Sequence, residues 1–281
     1  MRTTMNSRGS GGLPQFRRTR TLRSLKIQNI VWSALLACLL LLVVELGVNF
    51  GIISSLILPK PSSVLASLIS GFQNSILLGP LWSTLYATIV GFLLAAFISV
   101  VLGGLVATSG RLEAIVMPFV IAFQSTPIIA IAPVILIWAG YGLPGKVYII
   151  AAIAFFPILV NVIAGLRIRD EDQYDLFRMM GASKWQIFRY LRAPGSLPYV
   201  FAGLNIGLLV SLLGAVVAEF VGSESGLGVY LLGQRALFNL PAVFASIAIL
   251  AFLGILLRAL MVFAERKIVF WSTDLSQATP S

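Results

Sequence analysis

The sequence contains no histidine, which removes histidine acid/base chemistry, Ser-His and Cys-His nucleophile pairs, histidine-ligated haem and most zinc sites. Its single cysteine, Cys38, excludes an internal disulfide, and inside an apolar run that thiol reads as a small hydrophobe. Leu35-Leu36-Ala37-Cys38 faintly resembles a lipoprotein cleavage site, but the apolar run continues to Val48, so lipidation is not expected. Charge is scarce too: 11% of residues are Asp, Glu, Lys or Arg, against about a quarter in soluble domains. No Gly-x4-Gly-Lys-Ser/Thr phosphate loop occurs, so the chain does not bind ATP by that route.

What remains is apolar. With 58% hydrophobic residues and a mean hydropathy of +0.97, this is an integral membrane protein. Membrane-length runs at about 31–49, 85–106, 114–139, 147–166, 199–221 and 242–264 predict an all-α protein with six transmembrane helices in a domain over 29–268. Residues 1–28 form a basic tail with Arg17, Arg18, Arg20, Arg23 and Lys26, expected to be mostly disordered. The first run outlasts a signal-peptide core and lacks a convincing cleavage site, so it reads as a retained helix. Residues 50–80 read as an external loop with one surface helix, Val64 to Phe72, and Ser109 to Glu113 as a short internal turn. Residues 140–145 read as a tight external turn and 222–241 as an external segment that caps or re-enters the membrane; 269–281 is a polar tail.

With both termini inside, 17 of the 20 Lys and Arg residues fall in internal segments; only Lys60, Lys146 and Arg235 fall outside. The positive-inside rule is satisfied, and the net charge of +10 is explained by topology rather than by nucleic acid.

One polar interval, residues 170–198, separates two apolar runs on the internal side. Asp170, Glu171 and Asp172 suit a helix start, Arg178 a helix end, and Gly181 a left-handed stop. Ser183 with Gln186 three residues on has capping-box spacing, predicting a second short helix from about Lys184 to Leu191, ended by Pro194. The interval is therefore a cytoplasmic helix-turn-helix hairpin whose apolar residues require a partner surface; the bland alternative is a basic segment resting on the inner leaflet.

Ionisable residues in or near the runs are few: Glu45, Glu219 and Arg258. Glu219 reads as the outer mouth of a pathway or as an interfacial carboxylate hydrogen-bonded to a loop. Runs two to four carry no charge, which argues against an ion-coupled secondary transporter or channel, the main alternative. The third run contains Pro118, Pro127 and Pro133, and broken helices at membrane depth occur only where protein or a cavity covers the freed backbone groups. Gln124-Ser125-Thr126-Pro127 is thus a candidate pathway lining or a simple kink, and Asn161 is a second polar candidate.

Asp175 to Pro198, with Gly181-Ala182-Ser183 and Leu197-Pro198, resembles the signature loop of permease subunits of bacterial ATP-binding-cassette importers. Leu58-Pro59-x-Pro61-Ser62, Gln124 to Gly140, Phe155-Phe156-Pro157, and Ala218-Glu219 with Gly226-Leu227-Gly228 are similar to the nitrate/sulfonate/taurine branch, which includes permeases for pyrimidine precursors. The resemblance spans about 55–270. It implies a type I importer permease fold like that of methionine importer permeases, in the bacterial inner membrane. It also implies a permease homodimer, two ATPase subunits carrying ATP and Mg, and a periplasmic or lipid-anchored solute-binding protein, with no cofactor on this chain. Asp175, Leu176 and Phe177 then occupy the family's Glu-Ala-Ala at the head of a coupling helix that includes Arg178 and Met180, and Gly181 its central glycine. Aspartate for glutamate and Leu-Phe for two alanines depart from that pattern and imply a bulkier knob for a matched ATPase groove.

Overall fold

The computed structural model describes residues 16–167 and 171–272. Every regular element among them is helical. The chain divides into two compact units, Met1–Ser63 and Val64–Ser281.

In the first unit α1 runs from Phe16 to Asn49, and its apolar part, Val31–Asn49, is long enough to cross a membrane. Residues 16–26, expected to be disordered, are helical, because nothing between Phe16 and Leu46 is glycine or proline and the basic residues there are good helix formers. The rest of the expected tail, residues 1–15, and residues 273–281 lie outside the described residues, as does Asp170 of the hairpin. Near the end of α1, Glu45 accepts the backbone N–H of Ser62 at 3.1 Å and its hydroxyl at 2.7 Å. Those bonds cap α2, Pro61–Gln73, with a carboxylate where the helix dipole favours one, and Pro61 fits the first turn because it has no N–H to leave unpaired. The expected surface helix therefore starts three residues earlier than its apolar pattern suggested.

The second unit contains α3 (Leu78–Ala107), α4 (Gly110–Ser125), α5 (Ile128–Ala139), α6 (Leu143–Arg167), α7 (Glu171–Met179), α8 (Lys184–Ile187), α9 (Ala193–Gly222), α10 (Leu227–Ala236) and α11 (Leu240–Ile268). The third apolar run is not one rod: α4 and α5 meet at 102°. Of its three prolines only Pro127 breaks it. That ring bars the helical region to the preceding residue, and Thr126 is extended at φ −85°, ψ 127°. Pro118 and Pro133 stay inside α4 and α5. The expected internal turn at 109–113 also shrinks, since α4 already begins at Gly110.

The packing settles what this bent pair does. A Cβ on Gly91 would meet Ile150 and one on Gly103 would meet Val162, so α3 and α6 run side by side in the same direction. Gly203 faces Asn161, Gly207 faces Ile158 and Gly214 faces Ile153, so α9 runs antiparallel to α6. For α3 and α6 to be parallel, α4 and α5 together must return the chain to the end at which α3 began. They count as one crossing, and the described helices then provide six crossings, one of them bent.

Small residues make these contacts close. Ala87, Ala95, Ala154, Ala215 and Ala218 are fully buried, and Phe92, Ile158, Val162 and Leu208 fill the seam. Lipid tails are as apolar as leucine, so membrane helices associate through such close approach rather than by hiding oily surface. Accordingly Leu93, Phe97, Val101 and Leu105 form an exposed stripe along α3.

Candidate functional site

The polar interval folds as a hairpin. At the end of α7, Gly181 takes φ +75°. Its N–H donates to the Arg178 carbonyl and the Ala182 N–H to the Phe177 carbonyl, each at 3.0 Å, which is the Schellman pattern. Ser183 then caps α8: its hydroxyl accepts the Gln186 N–H at 3.3 Å, while the Gln186 side chain accepts the Ser183 N–H at 2.7 Å. The turn is thus fixed from both sides.

Leu176, Met179 and Met180 project from α7 with 56%, 86% and 76% of their surface exposed. Asp175 and Arg178 are exposed as well, whereas Phe177, Ala182 and Pro198 are half-buried. An apolar knob on a rigid turn is the shape of a docking element.

The second helix of the hairpin departs from expectation. It does not end before Pro194; it widens into a π turn, Phe188–Arg192, in which the Ala193 N–H reaches the Phe188 carbonyl, and continues into α9. The wide turn accommodates the proline ring, so Pro194 lies in the first turn of α9 instead of terminating a helix. The path from Lys184 to Gly222 is therefore helical throughout, 39 residues long.

Gln124, Ser125, Thr126 and Pro127 form the elbow between α4 and α5, all exposed. The Ser125 and Thr126 hydroxyls donate back to the Ile121 and Ala122 carbonyls at 2.9 and 3.1 Å, which covers groups the broken helix would leave bare. Beside the elbow Phe123 stacks on Phe156, and a cavity of about 480 Å³ lies among Phe123, Tyr148, Phe155 and Phe156. Asn161 points elsewhere: it donates to the Pro157 carbonyl at 2.8 Å and packs against Gly203 of α9.

Glu219 is buried, at 2% exposure, in a closed polar knot. One carboxylate oxygen accepts the Thr84 hydroxyl at 2.8 Å and the Lys146 ammonium at 2.9 Å; the other accepts the Gly228 N–H at 2.7 Å. Lys146, 3% exposed, also donates to the Ser83 hydroxyl and the Ser225 carbonyl. Thr84 Oγ1 in turn accepts the Leu227 N–H at 2.9 Å. Gly226, at φ +137°, has no room for a side chain, since a Cβ would lie 2.0 Å from Glu219 Oε1. Ala218-Glu219 and Gly226-Leu227-Gly228 thus belong to one construction.

Lys146 is a correction to the sequence reading, which left it outside the spans, just after the external turn at 140–145, and counted three ionisable residues near the spans. Helix α6 starts at Leu143, with Pro144 in its first turn, so Lys146 is already inside the helix and aimed at the bundle. Its partner is 73 residues away, which no local pattern reveals. A second unforeseen pair, Glu113 with Arg167, joins the start of α4 to the end of α6.

The family described as binding-protein-dependent transport system inner membrane component matches residues 99–270. The chain is 36% identical to the riboflavin transport system permease protein RibX of Chloroflexus aurantiacus over 93% of its own length and 98% of the relative's. It is 34% identical to the formylaminopyrimidine transport permease protein ThiX of Halalkalibacterium halodurans, over 76% of this chain and 86% of that one. A solved inward-facing structure of the MetNI methionine ABC transporter superposes with a TM-score of 0.60 at 23% identity, covering 67% of this chain and 94% of that chain, which shows the fold. The chain therefore belongs to the inner-membrane components of binding-protein-dependent transport systems, as a multi-pass permease subunit of an ATP-binding-cassette importer.

Proposed function

We propose that this subunit imports a flat nitrogen heteroaromatic solute, of the flavin or pyrimidine class, and is driven through its hairpin by a separate ATPase. The solute class is supported by the two relatives named for riboflavin and formylaminopyrimidine transport. It takes up the pyrimidine-precursor side of the sulfonate, taurine, nitrate or pyrimidine-precursor range that the sequence motifs left open, and extends it to flavins. The coupling role is carried by one observation, the exposed Leu176, Met179 and Met180 on a turn fixed by Gly181 and Ser183. Asp175, Phe177, Arg178, Ala182 and Pro198 shape that element. The elbow at Gln124 to Pro127 lines the path, whereas Glu219 and Asn161 act as packing groups beside it.

In this reading two copies of the chain pair across the path, two ATPase subunits hold ATP and Mg, and a solute-binding protein delivers cargo from outside. Both termini face the cytoplasm, as the positive-inside distribution favours. This chain itself holds no cofactor.

The test is uptake by proteoliposomes containing the permease, its neighbouring ATPase and its binding protein, with ATP inside. Radiolabelled riboflavin, an aminopyrimidine and taurine are compared. Accumulation of taurine alone would overturn the solute class. Among the described residues the buried Lys146–Glu219 pair is the feature that suits an ion-coupled carrier. Accumulation driven by a proton or sodium gradient without ATP would favour that second reading.

A further inference from the structure

We infer that the base of the hairpin is a binding site for the phosphate headgroup of an anionic phospholipid of the inner leaflet. The inference rests on the cytoplasmic placement of the hairpin proposed above. A cavity of about 560 Å³ opens between the end of α3 and the hairpin, lined by Gly104, Thr108, Tyr174, Lys184, Trp185, Ile187, Phe188 and Arg192. Two of these residues are cationic and none is acidic. Among the described residues neither Lys184 nor Arg192 is in an ion pair. Arg192 lies over the Tyr174 ring at 5.7 Å, and its Nε is buried without a hydrogen-bond partner. Buried donors are nearly always paired in folded proteins, so a guanidinium nitrogen in this condition beside a cavity calls for an acceptor that the described residues do not supply. The Thr108 hydroxyl donates to the Leu105 carbonyl at 2.7 Å, so what it offers the cavity is lone pairs.

The remaining lining defines what carries the acceptor. Gly104 lies in the last turn of the apolar helix α3, while Thr108 caps its end, so the cavity straddles the edge of the apolar zone. Trp185 and Phe188 stack at 5.7 Å. Aromatic rings with a polar edge gather at the headgroup level, and basic pockets between helices on the cytoplasmic side suit anionic headgroups. A ligand with a phosphate at one end and acyl chains at the other satisfies both halves; free phosphate satisfies only the cationic half.

The experiment uses the assembled permease–ATPase complex in nanodiscs of phosphatidylcholine with phosphatidylglycerol, followed by native mass spectrometry of retained lipids. The wild type should retain phosphatidylglycerol over phosphatidylcholine. Retention should fall about fivefold in Lys184→Gln and about thirtyfold in Lys184→Gln/Arg192→Gln. Arg258→Gln/Arg266→Gln changes another basic surface of the same chain and should leave retention at the wild-type level. If the double variant fails to assemble, the exposed Lys184→Gln single variant decides alone. Three results would overturn the assignment: equal retention by wild type and Lys184→Gln, displacement of the lipid by millimolar inorganic phosphate, or no bound lipid once the ATPase is docked.

Discussion

The two ends of the α3–α6–α9 bundle solve the problem of buried charge in opposite ways. At one end Glu219 and Lys146 are enclosed and paired with each other; Thr84 and Gly228 use the two carboxylate oxygens, and Ser83 and Ser225 take two further ammonium contacts. At the other, Arg192 Nε and Asn205 Oδ1 are buried without partners among the described residues, and apolar side chains stand exposed. The first end is complete within one chain. The second leaves polar atoms and apolar side chains open, and under the proposed coupling role it is the end that meets the ATPase.

The comparison can be broken most severely at the closed end. Lys146→Met leaves a buried carboxylate without its cation and should cost about 3–5 kcal/mol, read as a fall in thermal unfolding temperature in detergent. Lys146→Met/Glu219→Met should recover most of that loss; a harmless single variant would show that the knot is not closed. Next comes Gly226→Ala, which forces a side chain into a positive φ and against Glu219 Oε1, for about 1–3 kcal/mol by the same measurement. At the open end Gly181→Asp should assemble and unfold almost as the wild type does, with a local cost of about 1–2 kcal/mol, yet lose ATP-driven uptake. Normal uptake by that variant would remove the hairpin from coupling. Smallest is Arg167→Gln: its pair with Glu113 is partly exposed, and about 0–1 kcal/mol is expected. A larger loss would mean that the hairpin end carries a structural clamp of its own.

How much of this was legible in the sequence follows from the distance over which each signal acts. Gly181, Ser183 and Gln186 are neighbours, their chemistry is local, and the turn forms as the spacing predicts. The six apolar runs are local too, and the parallel packing of α3 on α6 explains why the bent third run still counts as a crossing. Pro194 misled because a proline reads as a stop, while a π turn one residue ahead removes the conflict. Lys146 misled because a lone lysine after Pro144-Gly145 reads as a loop charge; its meaning lies in Glu219 and in Thr84, which belong to other helices. A lysine two residues past a proline at a helix start, matched by a lone glutamate near the same end of another span, is the pattern that would have pointed to it.

The helical path from Lys184 to Gly222 has a mechanical meaning. At 1.5 Å per residue, the 39 residues form a rod of about 58 Å. The hairpin grips one end and the Glu219 knot the other. A tilt of about 5° at the hairpin would swing the far end by roughly 5 Å, more than a hydrogen bond can stretch. Under the proposed coupling role, one helical path thus joins the docking surface to the Glu219 latch, with the π turn between them.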